Sequence, residues 1–295
     1  MNDFVEEKGR FLQTRTKIPS FSEITTKRNC YDGGKKKLKK NYSSNRLFGG
    51  IAVAAVLLAS VMAILSTLFL TAFKESVTAA AGRSLPIYSV ETTEKKISIS
   101  FDCAWGVEHT DKLLEIMEKN DVRCTFFAVQ FWVEKYPEYV KKIVDAGHEM
   151  GTHSRTHSYM SKLSEEQIRD ELKTSSDAIE KLTGKKVELF RPPYGDFDNL
   201  LIDTAKSMHL YSIQWDVDSL DWKNLSGTEI ALRIINGTKN GSIILCHNNG
   251  LHTAEALPMI FSTLKNKGYE FVPISELIYK SGYVIDSNGR QHENS

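Results

Sequence analysis

Short runs of apolar, β-branched or aromatic residues recur along the middle of the chain: Ile97–Phe101, Cys124–Val129, His148–Thr152, Leu189–Arg191, Tyr211–Trp215, Ser242–His247 and Tyr269–Val272. Runs of this length predict β-strands, and the stretch after each carries the longer apolar period of a helix. The clearest helix begins at Ser164: Ser164 and Gln167 have the spacing of a capping box, Ile168, Leu172, Ile179 and Leu182 share one face, and Gly184 ends it. A second runs from Pro137, a residue suited to a first helical turn, to Gly147. Such alternation requires a mainly parallel sheet covered by helices. The number of units predicts an α/β barrel somewhat short of the usual eight strands, with an open doubly wound sheet as the alternative.

A different pattern precedes this domain. From Leu47 to Phe73 the chain is apolar and carries no charge, between Arg46 and Lys74. That predicts a single transmembrane helix over 47–73, long enough to cross a ~30 Å hydrocarbon core. A cleaved signal using Ala79, Ala80 and Ala81 is the rival, although its apolar region would normally be shorter. Residues 1–46 carry 12 Lys/Arg against 5 Asp/Glu, a charge of +7, so the remainder of a chain of net charge +1 is −6. The lysines at 35, 36, 37, 39 and 40 predict a cytoplasmic, disordered basic tail lying against anionic membrane lipid, with the rest of the chain extracytoplasmic. Residues 74–95 read as a polar linker, 96–281 as the folded α/β domain and 282–295 as a polar C-terminal tail. No nucleic-acid-binding pattern is present. Four cysteines are too few and too scattered for a disulfide framework; Cys103, Cys124 and Cys246 lie in or at the end of apolar runs.

The polar residues with chemical potential all follow strands, whose carboxyl ends gather on one face in parallel α/β folds. Asp102 and Cys103 end the first strand, and His153 and His157 follow the third. Arg191 to Gly195 follow the fourth, Asp218, Asp221 and Trp222 the fifth, and His247 ends the sixth. Each has an ordinary explanation alone: a turn, a cap or a structural histidine. Two histidines four apart also have the spacing to hold one metal ion. Asp102 closes an apolar strand, where an unpartnered carboxylate is costly. The prolines 192 and 193 fix the backbone beside Arg191. Five of the first six strand ends presenting Asp, His, Arg or Cys are difficult to explain by packing.

Together these segments resemble the polysaccharide deacetylases of carbohydrate esterase family four, over roughly Ile97 to Tyr279. The motifs that carry the resemblance are His153-Ser-Arg-Thr-His157, Arg191-Pro-Pro-Tyr-Gly195, Asp218-Ser-Leu-Asp221-Trp222 and Ile244-Leu-Cys-His247, in that order. Phe101-Asp-Cys-Ala-Trp-Gly106 looks most like a sporulation-associated branch. The resemblance implies a distorted, incomplete parallel (β/α) barrel and a hydrolase that removes N-acetyl groups from a cell-wall glycan, peptidoglycan first. It further implies a divalent ion, zinc, on His153 and His157; Asp102 as general base, paired with Arg191; and His247 as general acid, aimed by Asp221. The backbone N–H of Tyr194 would receive the oxyanion, and Trp222 and Leu245 would line the acetyl pocket.

Cys103 departs from the pattern, because the family carries a second aspartate there as third metal ligand. A thiolate can bind zinc, so a Cys103-His153-His157 site is one expectation, and an inert Cys103 beside a two-histidine site is the other. The alternatives to N-deacetylation are an O-acetyl polysaccharide esterase and a catalytically impaired glycan-binding protein.

Overall fold

The structure is a computed structural model that describes residues 56–69 and 82–294. The basic tail over 1–46 and the remainder of the expected 47–73 span lie outside the described residues. Residues 56–69, taken by themselves, form helix α1, exposed along its whole length. Among the described residues no helix is long and apolar enough to cross a membrane.

The second unit begins at β1 (Ser89–Val90) and β2 (Lys96–Cys103), then α2 (Thr110–Lys119), β3 (Thr125–Ala128), α3 (Gln130–Lys135), α4 (Pro137–Asp145) and β4 (Glu149–Thr152). There follow α5 (Glu165–Thr183), β5 (Leu189–Phe190), α6 (Asn199–Ser207), β6 (Tyr211–Ser212), β7 (Val217–Asp218), α7 (Gly227–Gly237) and β8 (Ile243–His247). The chain closes with α8 (Thr253–Asn266), β9 (Glu270–Phe271), α9 (Ile274–Leu277), β10 (Tyr283–Ile285) and β11 (Arg290–Glu293). The capping box of α5 forms as the spacing predicts, and Gly184 ends that helix in the left-handed conformation. Pro137 opens α4.

The main sheet runs β6-β5-β4-β3-β2-β8-β7, all parallel, with β9 added at the start of β2. Its two outermost strands, β6 and β7, are joined by residues 213–216 alone. A chain covers at most ~3.6 Å per residue, so the two edges must lie close together and the sheet must curl. This is the incomplete barrel that the resemblance implies. The gap is spanned by backbone. Ile87 N–H donates to the Ser212 carbonyl (2.8 Å), Gln214 N–H donates to the Ile87 carbonyl (2.7 Å), and Val90 N–H donates to the Gly241 carbonyl (2.9 Å) before β8. Ile87 and Val90 are buried, so the later part of the expected 74–95 linker belongs to the domain.

The expected polar tail over 282–295 is likewise structured. β10 and β11 form an antiparallel hairpin, and β11 pairs in parallel with β1. Its buried anchor is polar: Gln291 accepts from Tyr279 N–H (2.8 Å) and donates to the Tyr279 carbonyl (2.7 Å).

Side chains alternate across the curled sheet. Ile97, Ile99, Phe101 and Cys103 of β2 join Ile244 and Cys246 of β8 in an apolar layer against the helices, with Leu113, Ile168, Leu172 and Ile260. The opposite face carries Phe127, Leu189, Ile213 and Ile243 in a smaller cluster with Ile87 and Val90. Asp102 therefore points away from the helix layer, and Cys103 points into it.

Candidate active site

Asp102 and His247 are register partners on the adjacent strands β2 and β8, so the pleat presents them on the same face. Each is held by a buried group of opposite charge. Arg191, fully buried, donates from Nη1 to Asp102 Oδ1 (2.8 Å) and from Nη2 to the Gln214 carbonyl (3.3 Å). Its guanidinium lies 4.2 Å from the ring centre of Phe127, a stack that fixes the plane of the cation. Burial works against the Asp102 charge, but Arg191, His153 and His247 outweigh it and hold the carboxyl below its usual range. Asp102 is held ionised.

Across the site, Asp221 grips His247 twice. Its Oδ1 lies 2.7 Å from His247 Nδ1, and its Oδ2 accepts from His247 N–H (2.8 Å) and from Thr253 Oγ1 (2.6 Å). Burial pushes the His247 imidazole down, yet the Asp221 hydrogen bond and charge, with Asp102 and Asp218, carry it above the usual histidine value. Nε2 is left as the end that can deliver a proton.

His153 and His157 come together with ring centres 4.9 Å apart. His153 Nδ1 is 2.7 Å from the Arg191 carbonyl, which can only accept, so Nδ1 carries the proton and Nε2 carries a lone pair. That lone pair faces Asp102 Oδ2 at 3.5 Å. Burial keeps His153 neutral against the pull of Asp102, and burial and His153 push His157 down to about 4. Two acceptors facing each other in a buried site invite a cation. His157 Nδ1 is also buried without a hydrogen-bond partner among the described residues. These two imidazoles fit a divalent ion as neutral nitrogen donors.

Cys103 does not join them. Its side chain lies in the helix-facing apolar layer, its Sγ contacts the Phe101 carbonyl at 3.8 Å, and burial raises its thiol well above the usual value. Among the described residues no group of three or more His, Cys, Asp or Glu side chains is arranged to hold a metal. The expected three-ligand set thus reduces to the two histidines, because successive residues of a strand face opposite sides and Asp102 holds the inward one.

Of the remaining expected residues, Leu245 is buried on the same face of β8 as His247, while Trp222 and Tyr194 are exposed beside Asp221 and His157 respectively. The loops are held in unusual conformations. Ser154, His157, Tyr194 and Leu220 all have positive φ without being glycine, at a cost of order 1–3 kcal/mol each. A residue not anticipated from sequence braces the histidine loop. Glu171 of α5, buried, accepts from Arg155 N–H, Thr156 N–H and Thr156 Oγ1 at 2.7–2.9 Å. It sits between Ile168 and Leu172 in the apolar stripe of its helix, and a carboxylate there was the available signal.

Residues 89–213 match the family described as polysaccharide deacetylase. The chain is 33% identical over 196 residues to a peptidoglycan-N-acetylglucosamine deacetylase of Bacillus cereus, covering 65% of this chain and 92% of that one. It is 34% identical to the uncharacterized protein YlxY of Bacillus subtilis, over 65% of this chain and 60% of that protein's length. Among solved structures, it resembles a CE4 family pseudoenzyme from Bacillus anthracis at 36% identity and a TM-score of 0.64, over 66% of this chain and 69% of that one. A mutant of that pseudoenzyme with restored enzymatic activity matches at 38% identity and the same TM-score.

Proposed function

Since the chain belongs to the polysaccharide deacetylase family, we propose that it hydrolyses the N-acetyl groups of a cell-wall glycan, peptidoglycan first, to acetate and a free sugar amine. The observation that carries this reading is the in-register pair Asp102 and His247, one held ionised and the other held protonated, each by its own buried partner. A binding protein has no use for such a pair.

Asp102 takes a proton from the attacking water as its oxygen bonds to the acetyl carbon. The carbonyl oxygen becomes an oxyanion, which the N–H of Tyr194 would receive, and the left-handed conformation of Tyr194 supports this reading. Nε2 of His247 then gives its proton to the sugar nitrogen as the C–N bond breaks, and Asp221 steadies the imidazolium until that transfer. Leu245 and Trp222 shape an apolar recess for the methyl group. A divalent ion, zinc by the nitrogen donors, held on His153 and His157 would polarise the carbonyl and acidify the water.

A second reading is favoured by one observation: with Cys103 turned into the core, the donors are two where a family site has three, and a pseudoenzyme is among the similar structures. The protein would then bind glycan without turning it over. Incubating it with N-acetylglucosamine oligomers and with peptidoglycan, with and without added zinc, separates the cases. Acetate and free amine in equal amounts are expected. Acetate from O-acetylated polymers without amine would identify an esterase, and glycan binding with no acetate under any condition would identify the impaired form.

The reading also places the domain outside the cell membrane on a single-pass anchor with its N-terminus in the cytoplasm. The uncharged run from Leu47 to Phe73, the lysines before it and the exposed apolar face of α1 support this. Protease added to intact protoplasts should digest the catalytic domain and spare the basic head. Recovery of a soluble form starting near Ala81 would point to a cleaved signal instead.

A further inference from the structure

The C-terminal hairpin leaves one edge open. Asn294 N–H donates to the Gly282 carbonyl (2.8 Å) and Asp286 N–H donates to the Arg290 carbonyl (3.0 Å), so both are hydrogen-bonded pairs of the β10–β11 ladder. Such pairs alternate along an antiparallel ladder, and Val284 opposite His292 is the one between them. The N–H and C=O groups of Tyr283 and Ile285 therefore point away from β11, and among the described residues no other strand pairs with β10. Sheet edges are ordinarily blunted by lysine, proline or a bulge. Tyr283-Val-Ile285 has none of these, and Val284 is 49% exposed.

That edge forms one wall of an open cleft of about 680 Å³, which the entry segment near Arg83 and the end of α6 complete. Arg83 and Lys206 line it without a carboxylate partner among the described residues, and Arg83 lies over the Phe197 ring at 5.1 Å. Lys280 is neutralised by Glu188 (2.7 Å). Asp203, the one carboxylate on the lining among the described residues, accepts from Ser84 Oγ (2.8 Å). The chain beyond residue 46 carries −6, so this basic lining opposes the charge of the body around it. Two copies meeting at this edge would bring like charges together. An isolated anion would answer the charges and leave the strand unpaired, whereas a peptide backbone offers the alternating donors and acceptors that the edge lacks.

We propose that the open edge of β10 takes an extended acidic peptide segment of a partner as an added strand, with its carboxylates answering Arg83 and Lys206. Hydrogen bonds to the N–H and C=O of Tyr283 and Ile285 supply affinity, and the two cations select the partner. The cleft shares no residue with the catalytic site, so docking here leaves the reacting groups untouched.

The test is fluorescence anisotropy of the full-length protein with a labelled peptide of alternating Asp and Val, and with its counterpart carrying Lys in place of Asp. The Asp peptide is expected to bind more tightly by about tenfold, with an affinity that falls as salt is added. Lys206→Glu and Arg83→Glu should each weaken it roughly fivefold. Ile285→Pro deletes an outward N–H at an edge position and should weaken it about tenfold. A check that leaves the protein intact is N-methylation of alternate amides in the peptide: one of the two sets should abolish binding and the other should spare it. Equal binding of the Asp and Lys peptides, or no binding of either, overturns the proposal, as does parent affinity in both glutamate variants. An Asp peptide that tolerates both N-methylated sets would reveal an anion site without strand pairing and overturns it too. Concentration-dependent pairing of copies that Ile285→Pro abolishes, with no peptide bound, would give the edge to a second copy and overturns it as well.

Discussion

Asp102→Asn is expected to reduce acetate release at least 100-fold and, separately, to lower the unfolding free energy by about 3–5 kcal/mol. The first effect is loss of the base. The second follows from Arg191, which has no exposure and loses its counter-charge. Breaking one side of a buried ion pair leaves the other charge uncompensated, and the measured penalty for this is larger than the pair's net contribution. Arg191→Met should show the same stability loss with a smaller loss of turnover, since the carboxylate remains but is no longer held ionised or in place. Urea denaturation and acetate release, both measured well below the variants' melting temperatures, separate the two effects. Near-parent turnover in folded Asp102→Asn would remove that residue from the chemistry.

His247→Ala should cost between 10²- and 10⁴-fold in turnover and also lower the unfolding midpoint, because it leaves the fully buried Asp221 carboxylate without its counter-charge. Asp221→Asn supplies the finer test, through pH. The raised pKa of His247 keeps the acid protonated at neutral pH, and the lowered pKa of Asp102 keeps the base ionised there. Activity is therefore lost on the alkaline side as pH rises through the raised His247 value. Without the Asp221 charge that limb should move to lower pH, while the acid limb set by Asp102 moves little. The same sign governs stability. A histidine whose folded pKa is raised contributes below its unfolded value of about 6.5, and that contribution disappears as pH climbs through the folded value. An alkaline limb unmoved by Asp221→Asn would show that His247 is not the titrating acid.

The strand ends were legible because a charged or titratable residue closing an apolar run is conspicuous, and five among the first six could not all be turns. The α5 boundaries were legible because caps act locally: Ser164, Gln167 and Gly184 need only their neighbours. What escaped depended on partners distant in sequence. β7 is two residues long, and it is a strand only because β8 lies beside it. The last segment reads as polar, yet Asp286-Ser-Asn-Gly289 is a hairpin turn between alternating residues, and Gly289 has the positive φ such a turn needs. Of the two expectations for Cys103, ligand and inert residue, its place in the apolar layer favours the second. Its candidacy as a ligand came from a motif position, and the alternation of β2, with Asp102 turned inward, already weighed against it in the sequence.

The parallel pairing of β1 with β11 brings the chain's entry into the catalytic domain beside its exit. A domain that receives and releases its chain through neighbouring strands is an insertable cassette: it can sit inside a longer polypeptide without forcing the flanking segments apart, and its ends can be joined by a short linker and reopened at an exposed loop. It also follows that trimming the chain before Tyr283 removes more than an appendage. The cut takes away the strand against which the entry segment is zipped, and with it the support for the Ile87 backbone that bridges the open side of the barrel.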